Sequence, residues 1–318
     1  MSLLSWFTQI LEVIAALAAA PLFMGWVAQC RAWLQNRSAP SLFQPYRTIR
    51  KLFHKDAVLA EQASPLFRFA PYIVFGAMVC MTAIIPSMGT GLPLSDAADA
   101  IALVGLLATA RVFMALAAMD VGTAFGSLGA RREMMVGFLA EPALLMVIFV
   151  AALISSSTAL PAIADNLATQ TLGLYPSLAF TAVAFLLVLL AENARIPVDN
   201  PATHLELTMI HEAMLLEYSA RHLALMEWAA ALKLFNYACI GFALFVPWGV
   251  VTTGAADAPL VLLAALPILV LKLVFAGVGL ALIETVSAKL RVFRAPEFLA
   301  AAFMLAVLGL LVHLLLGA

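Results

Sequence analysis

The residues with the most capacity for chemistry crowd into one stretch, 191–233, which reads AENARIPVDNPATHLELTMIHEAMLLEYSARHLALMEWAAALK. It holds Glu192, Asp199, Glu206, Glu212, Glu217 and Glu227, six of the chain's 18 acidic residues, together with Arg195, Arg221 and Lys233. The chain as a whole is 64% apolar and only 11% charged. Ionisable groups beside hydrocarbon are costly, so a cluster of them there points to an ion or proton route. Asn200-Pro201 reads as an N-cap followed by proline in the first turn, which predicts a helix starting there. Along it Glu206, Ile210, Ala213 and Glu217 share a face, and Glu217 reaches Arg221 at i+4. Carboxylates stacked on one stripe near an arginine spread their pKa values by repulsion and desolvation, as a proton relay requires. A solvated acidic face would account for Glu206 and Glu212 but not for Glu227 and Lys233, which fall within an apolar run.

Other chemistries find little support. His211-Glu212 opens like HExxH, but Leu215 stands where the second zinc ligand belongs. His204, His211 and His222 are irregularly spaced for a shared metal. Cys30, Cys80 and Cys239 lie far apart and form no CxxC, so an iron–sulfur or nickel centre would belong to another subunit. The sequence shows no glycine-rich phosphate loop and no Ser/His/Asp set, hence no catalytic residues of its own. A net charge of −1 gives no argument for nucleic acid.

The elements that must position these groups are membrane helices. Mean hydropathy of +1.05 over 318 residues describes an all-α integral membrane protein in one membrane domain, 1–318, set in the lipid bilayer. Apolar runs of about 20 residues fall at 3–29, 68–88, 98–120, 134–156, 172–191, 219–249, 258–287 and 296–317, which predicts eight transmembrane helices. The first is expected to be a retained span, because it lacks a basic leader and a small-residue cleavage site. The connections 30–67, 121–133, 192–218 and 288–295 carry the Lys and Arg; 89–97, 157–171 and 250–257 carry none. The positive-inside rule then places the basic loops in the cytoplasm and both termini outside, with Trp6, Tyr175 and Trp248 at the outer interface. Within loop 30–67, residues 41–55 (SLFQPYRTIRKLFHK) predict a short amphipathic cytoplasmic helix from Tyr46 onward. Its role is either a surface anchor or a wall of the site. Further ionisable residues fall inside apolar runs: Glu12, Arg111, Glu141 (before Pro142), Lys233, Lys272 and Glu284. Any one could be a structural pair, but van der Waals packing alone has no need of so many. No long internal repeat suggests an inverted-repeat transporter.

AENARIPVDNP resembles the AExxRxPFDLPE loop of the complex I subunit 1 family, whose members join the peripheral arm to the membrane arm. Glu206-Leu207, Glu217-Tyr218-Ser219 and Glu227 resemble that family's E-L, EYS and AEY elements. Leu42-Phe43-Gln44-Pro45 with Lys51-Leu52 resembles its LLQPxxDxxKL element, and Leu139-Ala140-Glu141 lies where the family has SYE. The departures at Val198, Asn200 and Ala202 are similar to the branch in complex-I-like, membrane-bound nickel–iron hydrogenases, namely formate hydrogenlyase subunit 4 and hydrogenase-4 component C. The resemblance implies a membrane-anchoring and energy-coupling subunit in a bacterial or archaeal cytoplasmic membrane. The alternative it implies is the quinone-site subunit of an NADH–quinone oxidoreductase, although the altered loop speaks against quinone. It further implies that Glu141, Glu192, Glu206, Glu212, Glu217 and Glu227, with Arg221 and Lys233, form the relay for proton or sodium coupling. Gln44, Pro45, Arg47, Arg195 and Asp199 would shape the pocket and dock the arm, with 192–218 contacting it. Expected partners are hydrogenase large-subunit-like and small iron–sulfur subunits, which would hold the nickel–iron centre and clusters, and antiporter-like membrane subunits. The chain itself would bind no cofactor.

Overall fold

The computed structural model describes residues 3–60, 62–169, 176–199, 209–251, 259–288, 290 and 294–316. Its elements are helices: α1 (Leu3–Leu34), α2 (Gln44–Phe53), α3 (Pro65–Ile84), a 3-10 turn (Ser95–Ala97), α4 (Ala100–Asp120), α5 (Ala124–Ser155), α6 (Leu160–Thr169), α7 (Pro176–Glu192), α8 (His211–Leu215), α9 (Ala220–Phe245), α10 (Pro259–Val286) and α11 (Ala295–Leu316). Among the described residues, extended pairing is confined to two isolated bridges, Gly89 with Val251 and Asp99 with Ala159.

Among the described residues, seven helices are long and apolar enough to cross a membrane: α1, α3, α4, α5, α9, α10 and α11. The sequence predicts eight. The remaining candidate, α7, has 17 residues, a rise of about 25 Å, and ends on Glu192. α5 starts earlier than the sequence suggests. The segment 121–133 reads as a basic loop, but Thr123 caps a helix at Ala124, its hydroxyl accepting from Gly126 N at 3.3 Å. Arg131, Arg132 and Glu133 are therefore helical, which decides where Glu133 points.

α9 is the most deeply embedded span, with Leu232, Phe235 and Tyr237 almost wholly enclosed. α10 and α11 lie at the periphery and expose Leu271, Phe275, Leu311 and Leu315. In water such a face would be a liability, whereas hydrocarbon chains solvate it at no cost. The connections with no Lys or Arg gather at one end of the bundle: Thr90 N donates to Val251 O at 3.0 Å, Val251 N to Met88 O at 2.8 Å, and Leu160 N to Ala98 O at 2.9 Å. The segments around α2, 193–199 and α8 gather at the other end, where Ser219 Oγ donates to Val58 O at 2.6 Å and Leu290 N to Pro197 O at 2.9 Å.

Candidate functional site

Arg111, midway along α4, is the hub of a buried ion cluster. Its Nη1 pairs with Glu141 and its Nη2 with Glu192, while Nε lies 3.7 Å from Glu133 Oε1. The other oxygen of Glu192 lies 2.9 Å from Lys233 Nζ on α9. Four helices, α4, α5, α7 and α9, thus meet through charge. Glu133 and Glu141 stand two turns apart on one face of α5, and the midpoint is Gly137. A Cβ there would sit 2.6 Å from Arg111 Cδ, so the guanidinium occupies the space a side chain would need. Buried charges are tolerated only when their partners satisfy them. The Glu192 carboxylate meets that condition with a cation on each oxygen.

Polar atoms in and beside the cluster are left without a hydrogen bond. Tyr237 Oη, one turn beyond Lys233 on α9, is buried and makes no hydrogen bond, and neither does Arg111 Nε. An unmatched buried donor costs about 1–3 kcal/mol, a burden more typical of a working site than of a packing one.

Above the cluster lies a cavity of about 230 Å³, lined by Glu192, Glu212, Glu227, Lys233, His211 and Arg195 among others. A second, of about 250 Å³, opens beside α2 between Gly25, Gln44, Pro45 and Thr48. The two share Met24, Ala28 and Glu227 as walls. Lys233 therefore holds Glu192 on one side and faces the cavity of Glu212 and Glu227 on the other.

The segment 193–199 roofs this space. Arg195 donates through Nη1 to Glu284 Oε1 on α10 at 3.1 Å, and Arg31 from α1 donates to Glu284 Oε2 at 3.3 Å. Desolvation pulls the Arg195 pKa below its ordinary value, while Glu284 opposes that shift. Asp199 Oδ2 accepts from Ile210 N at 3.3 Å and His211 N at 3.2 Å, fixing the start of α8. α8 in turn lies close against α5, where a Cβ on Gly129 would come within 2.8 Å of Ile210 O. Desolvation also holds the His211 imidazole below its usual pKa, with Lys233 adding to that shift and Glu133, Asp199 and Glu192 opposing it.

The sequence-predicted residues separate into three groups. Glu141, Glu192 and Lys233 join in the cluster. Glu212, Glu227, Gln44, Pro45, Arg195 and Asp199 line the two cavities. Glu217, Arg221 and Arg47 are exposed and lie apart from both. The continuous helix expected through 206–217 is not what forms around Glu217. α8 ends at Leu215, residues 216–219 break the helix, and α9 restarts at Ala220 with φ +48°. The break places Tyr218 flat on Phe67, ring centroids 4.1 Å apart, with its hydroxyl donating to Phe67 O at 3.1 Å. That turns Glu217 off the stripe and removes the expected i+4 partnership with Arg221. Glu206, His204 and the predicted start at Asn200-Pro201 lie outside the described residues. Sequence reasoning misses Glu133 and the central place of Arg111. The available signal is the spacing Glu133, Gly137, Glu141, which a helical reading of 121–133 puts on one face.

Comparison with known proteins agrees with the motifs. Formate hydrogenlyase subunit 4 of Escherichia coli (strain K12) is 33% identical over 300 residues, 94% of this chain and 96% of that protein. Hydrogenase-4 component C of the same organism is 35% identical over 239 residues, 75% of this chain and 74% of that one. A chain in the structure of the membrane-bound sulfane sulfur reductase, an archaeal respiratory membrane complex, superposes with a TM-score of 0.80 over 96% of this chain and 98% of its own. At 21% identity this last likeness shows a shared fold. Residues 8–315 match the family described as NADH dehydrogenase, and the chain belongs to that family.

Proposed function

We propose that this chain is the membrane-anchoring and energy-coupling subunit of a complex-I-like, membrane-bound hydrogenase of the formate hydrogenlyase type. The observation that carries the reading is Glu192, held between Arg111 and Lys233 at the floor of a cavity lined by three further carboxylates, Asp199, Glu212 and Glu227. Lys233 can be drawn either way. A proton arriving at Glu227 or Glu212 removes a negative charge from the cavity side and strengthens the hold of Glu192 on Lys233. Loss of that proton pulls Lys233 back and leaves Glu192 to Arg111 alone. Charge movement at the floor is thereby tied to the protonation of the cavity. Segment 193–199, fastened to α10 through Arg195 and to α8 through Asp199, is the element through which an event in a docked arm would reach the site.

In this reading α7 completes an eight-helix bundle, the basic loops are cytoplasmic, both termini lie outside, and α2 rests in the headgroup plane at the mouth of the cavities. The partners are a hydrogenase large-subunit-like protein and small iron–sulfur subunits at the cytoplasmic face, with antiporter-like subunits in the membrane. Nickel and iron–sulfur chemistry resides in those partners, and the coupling ion is a proton or sodium. The names of the two E. coli relatives support this assignment.

The two adjoining cavities favour a second reading, a quinone site. The outer one opens beside α2 between Gly25, Pro45 and Ile49, a mostly apolar passage suited to the isoprenoid tail of a quinone. Purification of the complex from membranes separates the two. The hydrogenase reading predicts a nickel protein that copurifies and hydrogen evolution without added quinone. Copurification of no nickel protein, with quinone reduction blocked by rotenone-type inhibitors, would establish the second reading instead.

A further inference from the structure

The cluster around Arg111 is not the only buried acid with an unusual setting. Glu12, in the first third of α1, is 2% exposed. Its Oε1 accepts three hydrogen bonds, from Ser87 N at 3.1 Å, Ser87 Oγ at 2.5 Å and Met88 N at 2.7 Å. Its Oε2 is buried and makes no hydrogen bond, although the Gly89 amide approaches the same carboxyl. No cation pairs with it among the described ion pairs, in contrast to Glu192 and Glu284. Oε1 is occupied by three donors, and Oε2 is the oxygen left to take up or release a proton.

A clamp holding the connection after α3 against α1 would be the plain explanation for Glu12. Gln9, however, already serves there with a neutral amide: its Nε2 donates to Ala83 O at 2.9 Å and its Oε1 accepts from Leu94 N at 3.2 Å. A clamp therefore does not need an ionisable group at position 12. Around Glu12 stand groups suited to proton traffic. Ser87 also borders a cavity of about 10 Å³, large enough for about one water molecule, which Cys239 of α9 and Lys272 of α10 help to line. Lys272 donates to Val246 O at 2.6 Å and lies over the Phe242 ring at 5.7 Å. Another acid on this side, Asp165 of α6, accepts from Thr90 Oγ1 at 2.8 Å.

α9 connects this place to the inner cluster. Lys233 and Cys239 are six residues apart, about 9 Å along the helix. The interval holds Tyr237, with its unbonded hydroxyl, and Asn236, which accepts from Thr82 Oγ1 at 2.9 Å and donates to Met78 O at 3.1 Å. Hydrocarbon helices rarely carry such a run of polar groups on their buried face unless it is used.

We propose that Glu12 is a second proton-exchange site of this chain, beyond the middle of the bundle from the Arg111–Glu192–Lys233 cluster, and that the polar groups of α9 join the two into a route across the membrane. Oε2 takes up a proton to give the neutral acid and returns it to water at the end of the bundle that carries no basic loop. The inference rests on the coupling function argued above.

The test uses the intact complex reconstituted into vesicles, with proton movement measured per hydrogen molecule formed. Glu12→Gln keeps an oxygen that can accept the three hydrogen bonds but cannot take up a proton. It is expected to assemble and evolve hydrogen while proton movement falls about a hundredfold or more, and Glu12→Asp is expected to retain part of it. Wild-type proton movement in Glu12→Gln overturns the proposal, as does equal loss in Asp and Gln. Glu227→Gln serves as the control for the underlying reading: if it too moves protons normally, the inner cluster is not a coupling site. If only Glu12→Gln is normal, the inner site stands and the second one falls. Should Glu12→Gln not accumulate, the native complex is treated with a hydrophobic carbodiimide and mapped by mass spectrometry. An adduct on Glu12 that accompanies loss of proton movement supports the route, whereas unchanged movement with Glu12 modified, or no adduct there, overturns it.

Discussion

Arg111 is surrounded by three carboxylates and supported by one lysine through Glu192, so its removal leaves the buried Glu133 without a counterion, Glu192 with Lys233 alone and Glu141 unpaired. Breaking a buried pair from one side costs about 3–5 kcal/mol. Arg111→Met is therefore expected to lower the thermal stability of the detergent-extracted protein or to prevent its accumulation in membranes. Glu141→Gln is expected to be much milder, because that side chain is 31% exposed and water screens the loss. Near-identical melting curves for the two variants would contradict the hub role of Arg111. His211 supplies a pH dependence. Desolvation puts its folded pKa below the ordinary value of 6.5, so the fold favours the neutral ring and the unfolded chain binds the proton more readily. The stabilising contribution is complete above 6.5 and declines as pH falls through that value. His211→Gln should therefore flatten the drop in melting temperature between about pH 7 and pH 5. At this scale the sequence reveals Glu192, Glu227 and Lys233 because charge in or beside an apolar run is visible in one dimension. It hides Glu133 and the centrality of Arg111 because their partnership depends on how α4 packs against α5.

Elements decide which of the remaining residues reach the site. α2 is legible from its alternation of basic and apolar residues, and a helix forms at Gln44–Phe53 with Ile49 buried. Its closeness to α1 depends on Gly25. A Cβ there would collide with the Leu42 carbonyl and come within 3.3 Å of Pro45 Cδ, both parts of a rigid connection. Gly25→Ala is expected to push the 41–45 segment outward and open the outer cavity. The checks are faster limited proteolysis within 41–55 and lower hydrogen evolution; unchanged cleavage would show that the segment can yield without leaving α1. The break at 216–219 is not legible. Local spacing favours one continuous helix there, and only the tertiary stacking of Tyr218 on Phe67 rewards interrupting it. The early start of α5 escapes for a related reason, since three consecutive charged residues look like a loop until Glu133 is seen to approach Arg111 of α4 and Arg132 to donate to Met209 O just before α8.

For the whole molecule, composition alone announces a helical membrane protein, and seven described helices have the length and apolarity to span. The grouping of basic and non-basic connections at opposite ends follows the order of the apolar runs and is readable from charge. The association of ionisable residues into one cluster with two adjoining cavities is not readable, because it joins positions from Arg31 to Glu284. The exposed apolar faces of α10 and α11 fit a bilayer or a membrane neighbour. In the proposed coupling function, protonation of the cavity moves charge through Lys233 and Glu192. Glu227 tests it most directly, since it borders both cavities and lies outside the ion pairs that hold the helices together. In vesicles containing the complete complex, Glu227→Gln should assemble normally and reduce the protons moved per hydrogen formed by about a hundredfold or more. Wild-type proton movement and turnover in that variant would contradict the account.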